Sequence, residues 1–275
     1  MKRFSRFFLR TSSLFLVISL IAFPISPAWG MHEGIPCSSC HRFLNNWEDQ
    51  QNTSELIKTR ICLTCHDADR DQSDLNPPYV LNETAPLPAG GSFSPTLLMD
   101  NVGHNILTPD SIHGSTPPGG DPLHDFGCLS CHDAHDNGNY RNLKKEIRGK
   151  STLVQAVGDP DYRANIYISG MDAFCEACHQ RFHAETETHR RGDLLHHPVG
   201  VSIYGAKDAD FQNWLQKTRE LSLVEYPDGR PDNPYTAKVF CLSCHYAHAS
   251  SFAGALRWDP PGNRGCLECH DPDTN

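Results

Sequence analysis

Six copies of one five-residue pattern constrain this chain more than anything else in it. They are Cys37-Ser-Ser-Cys40-His41, Cys62-Leu-Thr-Cys65-His66, Cys128-Leu-Ser-Cys131-His132, Cys175-Glu-Ala-Cys178-His179, Cys241-Leu-Ser-Cys244-His245 and Cys266-Leu-Glu-Cys269-His270. Together they use all 12 cysteines. Cys-x-x-Cys-His is the attachment pattern of c-type haem. Two thiols add across the two vinyl groups of one haem, and the adjacent imidazole is held under the iron. Zinc ribbons and redox dithiols also pair cysteines, but neither needs a His directly after every second one, and a disulfide framework shows no such coupling. The pattern implies six haem c groups, with iron on the proximal residues His41, His66, His132, His179, His245 and His270.

That load dictates the fold class. Residues 1–30 read as a secretory signal: Lys2, Arg3, Arg6 and Arg10 precede an apolar run from Leu14, and Ala28-Trp29-Gly30 presents small residues where a signal peptidase reads. The mature domain is then 31–275, and no later segment is apolar enough to span a bilayer. Export also suits covalent haem attachment, because exposed thiols outside the cytoplasm otherwise oxidise to disulfides. The chain carries 20 Pro and 20 Gly, and only 38% of it is hydrophobic. A core of side chains alone is out of reach, so haem must supply much of the buried apolar surface. The expected fold is mostly irregular with short α-helices and little or no sheet, built around a stacked haem chain. Without haem it should not fold stably, as in other proteins whose cofactor supplies folding energy.

The motifs fall at 37, 62, 128, 175, 241 and 266, and read as three pairs (37–66, 128–179, 241–270) separated by two long intervals. Internal repetition of this kind precedes any guess at fold. Helices are expected over 44–60 and over 209–221 with Asp208 as N-cap, where Phe211, Trp214, Leu215 and Thr218 share a face that packs against haem. A short strand is expected over 162–168. The stretches 77–95 and 108–122 are rich in Pro and Gly and read as loops that wrap haem faces.

Ten further histidines are available for the second axial position: His32, His104, His113, His124, His135, His183, His189, His196, His197 and His248. His135 and His248 stand three residues after a proximal His, a spacing that aims them at a neighbouring haem. His104 and His197 lie in the long intervals before a motif pair, and His32 lies five residues before Cys37. The sixth place falls among His113, His124 and His183, and we assign it to His113. Only four Met are present, and Met ligation is what would raise the potential, so bis-His, low-potential haems are expected.

The repeated Cys-Leu-Ser-Cys-His-x-Ala-His, the His197-Pro-Val-Gly200 before a motif pair and Asn139-Tyr-Arg-Asn-Leu143 after a motif resemble the doubled-CxxCH multihaem cytochromes of anaerobic and metal-respiring bacteria. The resemblance implies closely spaced, mostly bis-His haems that form a wire. It also implies roles as periplasmic shuttles, as outer-membrane conduit components or as hexahaem subunits of extracellular filaments. The first motif pair departs from the pattern, since neither His41 nor His66 has a His three residues on; their distal ligands must come from elsewhere, another subunit included.

Net charge is −9, and the signal removes four basic residues and no acidic one, leaving 20 basic against 33 acidic. Nucleic acid is a poor partner for such a surface. Other redox proteins or cytochromes, copies of the chain itself, and extracellular metal or mineral acceptors suit it better. The function expected is electron transfer with no catalytic residues; the alternative is reduction of a small oxyanion or nitrogen compound at one five-coordinate haem. Replacing Cys128 and Cys131 by Ser should lower the haem content of the purified protein by about one sixth, read by intact mass and pyridine haemochrome absorbance.

Overall fold

The computed structural model describes residues 32, 34–43, 54–71, 77–81, 90–93, 102–106, 116–123, 125–158, 165–182, 190–191, 194–195, 197–217 and 223–274. Within them, six short helices and three two-stranded antiparallel ribbons are separated by irregular chain. The helices are α1 (Ser38–His41), α2 (Glu55–His66), α3 (Cys128–Cys131), α4 (Met171–Glu176), α5 (Asp208–Gln216) and α6 (Cys241–Cys244). Five of them contain haem-motif residues, and α5 does not. Of the helix expected over 44–60, residues 44–53 lie outside the described residues; the rest falls in α2, which runs on through Cys62 to His66 rather than ending before the motif. Its first N–H, on Glu55, donates to both carboxylate oxygens of Asp125 at 2.8 Å. A carboxylate at this end also suits the helix dipole.

Helix α5 starts one residue earlier than expected. Asp208 is its first residue rather than its cap, and both Asp208 and Asp210 sit in the first turn, where negative charge is favourable. Phe211 and Trp214 are buried, but their cluster is polypeptide: Ile203 and Ala237, with Cys269 packed at its side. Thr218 lies outside the described residues.

The expected strand is β4 (Asn165–Ser169), paired antiparallel with β3 (Gln155–Gly158). Isolated bridges carry the ladder further, from Tyr167 to Glu225, from Glu225 to Lys238, and from Lys238 to Ser202. The remaining ribbons are two residues a side: β1 (Glu146–Ile147) with β2 (Lys150–Ser151), and β5 (Arg190–Arg191) with β6 (Leu194–Leu195). Side-chain cores are small and separate. One gathers Tyr140, Leu143, Val154, Tyr167, Met171, Phe240 and Leu242, another Leu63, Leu81, Phe93 and Ile106, and the third lies under α5. No helix among the described residues is long and apolar enough to cross a membrane.

Glu225, only 8% exposed, lies in the extended ladder. Burial, and then the neighbouring Asp172 carboxylate, push its carboxyl up to about 7 against the pull of Lys238. In the window between its ordinary value and about 7 the folded protein holds a proton that the unfolded chain has released, so this group's contribution falls as pH rises through that window. Glu225→Gln should therefore flatten the loss of thermal stability between pH 5 and pH 8, measured on the haem-loaded protein at both pH values.

Candidate haem sites

The construction of each motif starts with a short helical turn. Backbone N–H of His132 and His245 donate to the carbonyls of Cys128 and Cys241, at 3.0 and 3.2 Å, which places both thiols and the imidazole around one turn. Ser130 Oγ accepts from Gly127 N–H at 3.0 Å, and Ser243 Oγ accepts from Phe240 N–H at 3.1 Å. These two motifs repeat in detail. His132 Nδ1 faces the carbonyl of Arg141, and His245 Nδ1 faces that of Gly254, each nine residues on. Bridges from His132 to Leu143 and from His245 to Leu256 follow. The carbonyl is turned toward the ring by left-handed backbone: Arg141 and Asn142 have φ of 51° and 52°, and Gly254 and Ala255 have 68° and 56°. Such a conformation costs ~1–2 kcal/mol at a non-Gly residue. It persists because that carbonyl fixes the ligand.

The same bond recurs at most of the other candidate ligands. His32 Nδ1 faces Ala134 O at 3.1 Å, His66 Pro78 O at 2.9 Å, His104 Ala247 O at 2.7 Å, His179 Pro118 O at 2.9 Å, His197 Pro198 O at 2.7 Å and His248 Gly91 O at 3.1 Å. A carbonyl only accepts, so each Nδ1 carries the proton and each Nε2 keeps its lone pair. Burial pulls His66, His104, His132 and His245 below the usual imidazole range, and pulls His248 down to about 3. These rings stay neutral, as a metal ligand must.

Five of the motif imidazoles face one spare imidazole each. Ring centres are 6.1 Å apart for His66 and His32, 6.2 Å for His41 and His135, 6.0 Å for His179 and His104, 6.3 Å for His132 and His248, and 6.0 Å for His270 and His197. Two metal–nitrogen bonds of ~2 Å plus the ring radii on either side span about 6 Å. His135 and His248 do lean away from their own motifs, to the first and the third. His32 reaches the second motif of its own chain, so both imidazoles of the first pair face a spare imidazole within the same chain. His245 has its Nδ1 fixed, and no spare imidazole is recorded beside it among the described residues. His113, His124, His183, His189 and His196 all lie outside those residues.

A cavity of about 2620 Å³ is lined by the cysteines of the first five motifs. A single small-molecule site needs ~300–1,000 Å³. All 12 cysteines are free thiols, and no group of three or more His, Cys, Asp or Glu among the described residues is arranged to hold a metal ion. The residues fit haem.

The 66-residue intervals, which look like separators in sequence, are direct contacts. Thr59, three residues before Cys62, accepts from Cys128 N–H at 3.1 Å. Asp172, three residues before Cys175, accepts from Cys241 N–H at 2.8 Å. Cys128 pushes the Cys62 thiol up, and Cys175 pushes the Cys241 thiol up. Cys40 feels Cys65, Cys131 feels Cys178 and Cys175, and Cys244 feels Cys266. Hydrogen bonds thus join the second motif's helix to the third motif and the fourth motif's helix to the fifth. Sequence reasoning missed this pairing; the equal position of Thr59 and Asp172 relative to their motifs was the available signal.

Residues 233–275 match the family model described as the doubled CXXCH motif. The chain is similar to the C-type cytochrome OmcS of Geobacter sulfurreducens, at 24% identity, with 58% of this chain and 56% of that protein covered. It thus spans about half the length of that relative. Among solved structures it is similar to the OmcS nanowires from Geobacter sulfurreducens, with 22% identity, 72% of this chain and 74% of that chain covered and a TM-score of 0.50. A second, the Outer Membrane Cytochrome S filament of the same organism, has 20% identity, 74% and 75% coverage and a TM-score of 0.48. The first of these structural likenesses is one of fold, and it agrees with an irregular chain of short helices.

Gly127 has an extended φ of −168°, so its need for glycine is one of space: a Cβ there would run into Thr59 Oγ1 and Glu55. Gly127→Ala should cost ~1–3 kcal/mol through overpacking between α2 and α3. The checks are a lower unfolding midpoint in holoprotein and a smaller loss on Thr59→Ala, about 1 kcal/mol, for the missing cap.

Proposed function

We propose that this chain is an exported hexahaem c-type cytochrome that transfers electrons through bis-His haems and has no substrate chemistry of its own. The observation that carries the reading is the pairing of five motif imidazoles with five spare ones at 6.0–6.3 Å. On it, His32, His104, His135, His197 and His248 are the distal ligands of five irons. His113 is assigned the sixth place. Residues 1–30 are the signal and 31–275 the haem domain.

Haem bound here supplies a one-electron iron couple whose potential the chain sets through axial ligand, hydrogen bonding and burial. The chain's own part is to fix two neutral imidazoles per iron and to lay the attachment sites side by side. Cys37 and Cys40 at one end, and Cys266 at the other, are exposed. Copies of the chain meeting at these ends would continue the line as a filament subunit, and the likeness to the OmcS nanowires points the same way. Periplasmic or surface redox proteins, and extracellular metal or mineral, are the other partners suited to exposed ends and an acidic surface.

His248→Ala tests the reading. About one sixth of the ferric haem should become high-spin, and added imidazole should restore the low-spin spectrum. An unchanged spectrum would remove His248 from the ligand set.

A further inference from the structure

The terminal site differs from the others in what stands behind its imidazole. At eight of the candidate ligands Nδ1 faces a backbone carbonyl. His270 Nδ1 instead faces the carboxylate of Asp210, with Oδ2 at 3.5 Å. Asp210 Oδ1 is held by the N–H of Asp271 at 3.0 Å, which orients the carboxylate. Asp210 projects from the first turn of α5. One turn further, Asn213 Nδ2 donates to the carbonyls of Leu267 and His270, at 3.0 and 2.8 Å. Helix α5 therefore holds the sixth motif by two side chains, one charged and one neutral. The Asp210 side chain is 14% exposed, so the charge is poorly screened on its own side, and the His270 side chain is 49% exposed.

A carboxylate behind a ligating imidazole makes the ring a stronger donor than a carbonyl does. A stronger donor favours ferric over ferrous iron and lowers the potential. We propose that Asp210 sets the potential of the haem attached at Cys266 and Cys269, holding it below that of an otherwise similar haem backed only by carbonyls. This rests on reading His270 as a ligand of that haem. Reduction adds one electron to the iron from an external reductant such as dithionite, and the proton stays on His270 Nδ1. The consequence is directional: the last site in the chain order gives up its electron more readily.

The test is a dithionite titration of the haem-loaded full chain, followed optically and by electron paramagnetic resonance, for the native protein and three variants. Asp210→Asn keeps the shape and removes the charge; one component, about one sixth of the absorbance change, should move to higher potential while all haem stays low-spin. Asp210→Glu keeps the charge and should leave that component near its native position even if Asp210→Asn assembles poorly. Asn213→Ala loosens the same segment without changing charge and should leave every midpoint in place. An unmoved component in Asp210→Asn overturns the proposal. An equal shift in Asn213→Ala overturns it too, since the effect would then be mechanical. The ligand assignment is tested separately: His270→Ala leaving six low-spin haems would sink that assignment and not merely the role of Asp210.

Discussion

A backbone carbonyl behind an imidazole is the interaction on which the rest of this structure depends. It chooses the tautomer and aims Nε2 at eight of the candidate ligands. Carbonyls inside helices and ribbons are already bonded, so acceptors must come from irregular chain. The Pro/Gly-rich loops supply several: Pro78 for His66, Gly91 for His248 and Pro118 for His179. Sparse secondary structure is thus what the ligand set requires. At Gly91 the loop is also tight, with φ of 82° and no room for a Cβ beside Ala249 and Tyr246.

The segment after the fifth motif shows how one short stretch joins several sites. It follows directly on Cys241, Cys244 and His245. His248 then turns to His132 of the third motif, with Phe93 stacked on it at 4.5 Å. The carbonyls of Ala247 and His248 bind Nδ1 and N–H of His104, whose ring faces His179 of the fourth. Three sites are tied through the residues from Cys241 to His248, so a shift at one is felt at the others. That coupling suits a conductor whose sites must keep fixed spacing.

Much of this was legible in the sequence. Motif identity follows from covalent chemistry, so attachment and proximal residues need no fold to be read. Irregularity follows from low apolar content and many Pro and Gly. The aim of His135 and His248 follows from a three-residue offset after the proximal His. What sequence could not show was which imidazole faces which, because His104 and His179, or His197 and His270, meet only through tertiary folding. The contacts across the long intervals were hidden for the same reason: Thr59 with Cys128 and Asp172 with Cys241 bring together residues 69 apart in each case. The stripe on α5 was read as haem-facing because its polypeptide cover, Ile203 and Ala237, is remote in sequence.

The central claim is that each iron sits between one motif imidazole and one assigned spare imidazole, in an unbroken line that follows chain order. A side-chain-resolution map of the haem-loaded protein by cryo-electron microscopy measures this most directly. The account predicts iron density between His66 and His32, His41 and His135, His132 and His248, His179 and His104, and His270 and His197, with neighbouring haems in the order of their motifs. An iron in that map ligated by a different distal residue from the one assigned, or a haem out of chain order, would contradict it.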